Sequence, residues 1–279
     1  MHWVPLVASL VAAAAITPTT VRGLAAQGMV RENYRGAPVA YPAGIALLIP
    51  AFIALVVVAP LYQLVDTDVL EVGFGLALIY VFGVGFLGLL DDVAGSAADH
   101  PRGWRGHFAA LGSGRLSTGV VKAVGTLGLA LLVAANPVDG AGTYFLSAAV
   151  LVLATNVFNL LDLRPGRAGK VFILLGAGLT IVSGDLDPLW TVGLFLGPIL
   201  VLLPLDLREV GMLGDTGSNV IGAVAGVWLI LTLQTTLALA IAAGVLALIT
   251  LYGEFRSISA FIERTPGFRQ LDLLGRSHA

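Results

Sequence analysis

Three short stretches of the chain place acidic and amide side chains where they could work on phosphates. They are LLDDVAG (residues 89–95), TNVFNLLDLRPGR (155–167) and MLGDTGSNVIG (212–222). In the first, Asp91 and Asp92 close a strongly apolar run, so two carboxylates face each other and the negative end of a helix dipole. That arrangement needs a cation or a proton to compensate it, unless it is simply a solvated helix end. In the second, Asn156, Asn159 and Asp162 recur every third residue. Steps of about 300° keep them within about 120° of one another on a helix, where they face one cleft or form an interhelical hydrogen-bond pair. In the third, Asp215 precedes Thr216, Gly217, Ser218 and Asn219 at a helix start. Free N–H groups there suit a phosphate and Asp215 a divalent cation, the plain alternative being a helix cap. Hard oxygen donors beside Lys122, Arg115, Arg164, Arg167 and Lys170 are what Mg²⁺-assisted phosphoryl chemistry requires. Basic residues at a membrane surface also bind anionic lipid and set topology.

The elements that must carry these residues are membrane helices. Of 279 residues, 57% are hydrophobic and 11% charged, and the mean hydropathy is +0.94. Soluble domains carry about 25% charged residues. The fold class expected is all-α, a polytopic integral membrane bundle of about nine transmembrane helices. The spans read roughly 3–21, 43–64, 69–90, 119–135, 143–161, 169–184, 188–205, 218–233 and 235–252, in a single membrane-embedded domain over 1–279. The first lacks the basic segment of a leader peptide and is read as a retained span. With nine spans, all 15 Lys and Arg fall on one side, while Asp66, Asp68, Glu71, Asp139, Asp185 and Asp187 occupy the other. By the positive-inside rule the basic side is cytoplasmic, the N-terminus is outside and the three motifs share the cytoplasmic face. Residues 253–279 form a cytoplasmic tail, where Ile258, Phe261 and Ile262 predict a short amphipathic helix at the membrane surface. The absence of cysteine excludes disulfides, thiolate metal sites and thiol nucleophiles.

In order and placement, GLLDDVAG, NVFNLLD and MLGDTGSNVIG resemble the polyprenyl-phosphate N-acetylhexosamine-1-phosphate transferases, over roughly residues 30–235. That family includes the phospho-N-acetylmuramoyl-pentapeptide and GlcNAc-1-phosphate transferases. RENYRGAPVAYPAG and GRLSTGVVKAVG are weaker matches to its segments after the first helix and after the aspartate pair. The resemblance implies transfer of a sugar 1-phosphate from a UDP-sugar to undecaprenyl phosphate, with Mg²⁺ as cofactor and release of UMP, at the cell membrane in cell-envelope glycan synthesis. It implies that Asp91 and Asp92 are catalytic, that Asp215 with Asp92 holds the metal, and that Asn156, Asn159, Asp162 and Lys122 bind substrate. The expected partners are the UDP-sugar, the polyprenyl phosphate and the membrane, with no nucleic acid and a homodimer left open. Three departures stand out. Asp162 is followed by Leu163 where the family usually has Gly, the tail lacks the family's histidine motif and carries only His278, and no full P-T-x-G-G run precedes the second span. The sugar is therefore unassigned, and a catalytically silent lipid-phosphate binder and an ion-coupled carrier are the competing readings.

Overall fold

A computed structural model describes residues 1–64, 73–95, 117–134 and 140–277. Asp66, Asp68, Glu71, Arg115, Asp139 and His278 lie outside the described residues, as does most of the expected loop 91–118. Among those described are twelve helices and one two-stranded hairpin. In chain order they are α1 (Val4–Ala26), β1 (Val30–Glu32), β2 (Pro38–Ala40), α2 (Ile45–Leu64), α3 (Phe74–Ala94), α4 (Thr118–Ala134), α5 (Ala141–Leu161), α6 (Arg167–Ser183), α7 (Asp187–Thr191), α8 (Gly193–Leu207), α9 (Gly214–Thr232), α10 (Thr236–Phe255), α11 (Ile258–Arg264) and α12 (Pro266–Leu273). Six of them, α1, α2, α3, α5, α9 and α10, are long and apolar enough to cross a membrane, and α4 and α8 are shorter apolar helices. In hydrocarbon a backbone must satisfy its own hydrogen bonds, so these apolar runs become helices although α1, α2 and α8 all contain proline.

Helix α9 is the hub of the bundle. It packs against α3, α5 and α6, and 78% of its most apolar window is buried, against 11% for the peripheral α10. Phe158, Phe172 and Trp228 meet edge to face between α5, α6 and α9. Buried hydroxyls tie helices together where apolar contact alone gives little directionality in lipid. Ser9 donates to the Gly193 carbonyl, Thr17 to that of Ala46, and Tyr80 and Thr155 share a hydrogen bond of 3.1 Å. The start of α2 lies directly against the start of α9. A Cβ on Gly44 would sit 2.1 Å from the Gly217 nitrogen, so Gly44→Ala must push the two helices apart. We expect that substitution to cost about 2 kcal/mol or more, measured as a lower unfolding midpoint in detergent. An unchanged midpoint would show that this contact is loose.

The tail forms α11 and α12, which fold back on α6. Asp272 receives both Nε (2.9 Å) and Nη2 (3.0 Å) of Arg167, together with Nη2 of Arg276 (2.6 Å). Burial works to raise the Asp272 pKa, but the hydrogen bonds and charge of Arg167, with the charges of Arg276 and Lys170, outweigh it and hold the carboxyl below its ordinary range. A depressed carboxyl pKa stabilises the fold above its unfolded value and loses that contribution as pH falls through the folded one. Acidification from pH 5 to pH 3 is therefore expected to lower the unfolding midpoint more in wild type than in Asp272→Asn. Equal slopes in the two proteins would remove Asp272 from the acid response.

Candidate functional site

The two adjacent aspartates at the end of α3 point in different directions, about 100° apart on the helix. Asp92 turns to the N-terminus of α9. Its Oδ1 accepts from the Asp215 N–H (2.9 Å) and its Oδ2 from the Thr216 N–H (2.8 Å) and hydroxyl (2.6 Å). The Tyr41 hydroxyl also donates to Oδ1. A carboxylate on the first N–H groups of a helix neutralises its positive end and satisfies donors that the helix itself cannot. The helix-start N–H groups expected to receive a phosphate are thus taken by Asp92. The approach is close enough to require glycine at position 88, where a Cβ would meet the Asp215 carbonyl oxygen at 2.5 Å.

Asp91 faces α4 instead. Thr118 donates to its Oδ1 (2.5 Å) and Lys122 to its Oδ2 (2.8 Å), from positions four apart on one helix face. The same Lys122 ammonium bonds the Asp215 carboxylate. Asp91, Lys122 and Asp215, contributed by three helices, therefore form one cluster. Their side chains keep 17%, 23% and 30% of their surface exposed, so an incoming ligand can reach the group.

Tyr41 reaches Asp92 because residues 40–44 are zipped to 210–213. Ala40 pairs with Gly211, the Met212 N–H donates to Ala40 O (2.9 Å), and those of Ala43 and Gly44 donate to Met212 O (2.8 Å) and Leu213 O (2.9 Å). Arg31 lies over the Tyr41 ring at 3.9 Å and donates to its hydroxyl (2.6 Å). Burial, followed by the charge of Asp92 and the hydrogen bond to it, pushes the Tyr41 phenol well above its usual range, against the pull of Arg31. Tyr41 is therefore a neutral donor that fixes Asp92. On the far side of the zipper, Glu209 adopts a left-handed φ of 55°, uncommon for a side-chain-bearing residue, and is held there by Asn33 (2.6 Å) and Arg35 (3.1 Å).

Beside the cluster opens a cleft of about 210 Å³, lined by Arg31, Tyr41, Asp162, Arg164, Asp206, Glu209 and Asp215 among others. Asp162 caps α5 at its edge. Burial, and then the charges of Asp206, Asp215 and Asp92, raise its pKa well above the ordinary value, only partly offset by the Gly214 N–H. Burial and the neighbouring carboxylates thus favour the neutral form of Asp162, in a cleft that also holds the guanidiniums of Arg31 and Arg164.

Of the residues expected to form the site, Asp91, Asp92, Lys122, Asp162 and Asp215 come together here. Asn159 donates to Asn219 (3.1 Å), one turn beyond Asp215, in the interhelical pairing that was its plainer reading. Asn156 does not join them; it donates to Thr250 of α10 (3.3 Å). The spread of about 120° between Asn156 and Asp162 carries the two to different neighbours. Thr118, Tyr41, Asp206 and Glu209 were not anticipated. Thr118 could have been found from its spacing of four to Lys122, but the other three carry no signal outside their tertiary contacts.

No group of three acidic or histidine side chains among the described residues is arranged to hold a metal ion alone. The donor set suits Mg²⁺ in another way, since that ion is usually held by one or two carboxylates and completed by substrate phosphates. Asp91 and Asp215 are two such hard oxygen donors, already drawn together around one positive charge. No known family model matches the chain, and no curated protein is significantly similar to it. The case for a function rests on the residues themselves.

Proposed function

We propose that the chain is a nine-span enzyme of the cell membrane that transfers a sugar 1-phosphate from a UDP-sugar to a polyprenyl phosphate on the cytoplasmic face. The observation that carries this reading is the joining of Asp91 and Asp215 by Lys122, with Asp92 fixing the helix that bears Asp215. Two of the stretches that resemble the transferase family's motifs thus each contribute a carboxylate, Asp91 and Asp215, to one reachable cluster, and Asp162 of the third lines the cleft beside it. The fall of all 15 basic residues on one side of a nine-span reading supports the orientation.

A phosphate monoester is largely ionised near neutral pH, so the lipid phosphate is already a nucleophile. Its oxygen attacks the sugar-side phosphorus of the UDP-sugar. A new P–O bond forms as the pyrophosphate P–O bond breaks, and UMP leaves with the electron pair. Lys122 exchanges a carboxylate for a phosphate oxygen and holds it in line. Asp91 and Asp215 would hold Mg²⁺, which would supply positive charge against the developing negative charge on the phosphates. Asp92 and Tyr41 keep Asp215 fixed while charge moves. The lipid's tail remains in hydrocarbon while its phosphate reaches the membrane edge.

The test is mass spectrometry of lipids formed when the purified protein meets Mg²⁺, undecaprenyl phosphate and a mixture of UDP-sugars. A lipid diphosphate bearing one sugar is expected, and its mass names the sugar class. A second reading, a silent binder of lipid phosphate, is favoured by Leu163 in place of glycine after Asp162. Retained lipid phosphate with no product would select it.

A further inference from the structure

The loop 162–166 forms one wall of the cleft through Asp162, Leu163, Arg164 and Pro165, and it is not held by the spans alone. Almost every residue from 164 to 170 that offers a polar group is met by the tail. Glu263 of α11 pairs with Arg164 (3.3 Å). Arg276 donates to the Pro165 carbonyl (3.1 Å). Arg167 is clasped by Asp272 and by the Ser259 hydroxyl (3.0 Å). Lys170 donates to the carbonyls of Leu271 (2.9 Å), Asp272 and Leu274 (3.1 Å) at the end of α12. From the other side, Asp206 accepts the Gly166 N–H (2.8 Å), and the Ser277 N–H reaches Leu207 O beside it (3.4 Å).

The apolar side chains of α11 and α12 do not fill the space between these helices and the spans. An apolar cavity of about 530 Å³ lies between them and α6 and α10, lined by Leu174, Leu248, Ile258, Phe261 and Phe268 among others. The Arg167 and Asp272 side chains, by contrast, are only 3% and 7% exposed. Breaking one partner of a buried, bidentate pair leaves the other charge uncompensated, so position here depends on the polar clasp.

We propose that residues 257–277 are a brace whose Asp272–Arg167–Arg276 clasp sets the wall of the cleft formed by residues 162–166. Asp272 is then a positioning residue that touches no ligand, and the brace exists whichever ligand the cleft takes. The inference does not rest on the proposed transferase activity.

Hydrogen exchange of the full chain in lipid nanodiscs tests it, comparing residues 162–170 with residues 220–229 of the buried hub helix. Asp272→Asn is expected to speed exchange in 162–170 by about tenfold and to leave 220–229 unchanged. Asp272→Glu, which keeps the charge, is expected to restore slow exchange. Because the chain has no cysteine, a nitroxide on Leu163→Cys provides a second readout, and its spectrum should sharpen only in the Asn variant. Arg276→Gln, which spares the Arg167–Asp272 pair, serves if Asp272→Asn does not fold, with a smaller change in the same direction. Unchanged exchange and spectrum, or equal acceleration in both segments, would overturn the brace.

Discussion

Asp215→Asn is expected to lower turnover by at least about a hundredfold while leaving the protein as stable as wild type or more so. On the proposed mechanism the two effects separate, because Asp215 would serve the chemistry at some expense to the fold. Its carboxylate shares the Lys122 ammonium with Asp91, and its own N–H is bound to Asp92, so three negative groups crowd one positive one. Asparagine relieves that repulsion and keeps a group of the same shape against Lys122, which retains Asp91 at 2.8 Å. It removes the charge needed to hold a cation against a pyrophosphate. Rates measured alongside unfolding midpoints make the comparison. Loss of both activity and stability would make Asp215 a structural residue, and full activity would remove it from the mechanism.

The second large effect concerns Asp92, which the structure loads with hydrogen bonds. Asp92→Ala is expected to destabilise the protein by about 4 kcal/mol, since it strips the cap from α9 and strands buried donors. Those donors are the N–H groups of Asp215 and Thr216 and the hydroxyls of Thr216 and Tyr41. Asp92→Asn keeps one acceptor oxygen and should lose roughly half as much. A denaturant titration in mixed micelles ranks the three proteins. If Ala and Asn variants matched wild type, the cap on the hub helix would be unimportant and Asp92 would be free to act elsewhere.

The acid pair that closes α3 looks unfavourable in the sequence because both carboxylates oppose the dipole of their own helix. Structure resolves this by giving each a different counterpart: the positive end of α9 for Asp92, and Thr118 with Lys122 for Asp91. Sequence could suggest that compensation was needed, because charged groups at the end of an apolar run must be met by something. It could not say that a second helix terminus would serve.

The helices were legible for a related reason. Eight of the nine apolar windows read from the sequence fall mainly on one helix each, because apolar backbone in hydrocarbon has few alternatives, while the window 188–205 is divided between α7 and α8, and six helices reach the length and apolarity of a span. Their ends were less legible. Helix α9 begins at Gly214, at the helix start read from Asp215 and its followers but ahead of the apolar span read from 218, because the polar first turn carries no apolar signal. The lining of the cleft was hidden further. Tyr41, Asp206 and Glu209 acquire their roles only when residues 40–44 zip to 210–213 and the tail closes over residues 164–170. Asn156 was drawn into the expected site by its spacing, yet it faces α10 through Thr250.

UMP release by the purified protein in nanodiscs, followed over a panel of UDP-sugars with each component omitted in turn, tests the central claim most directly. UMP is expected only when a UDP-sugar, polyprenyl phosphate and Mg²⁺ are all present, and none is expected from Asp215→Asn. No UMP from any donor, or equal UMP without the lipid acceptor, would contradict it.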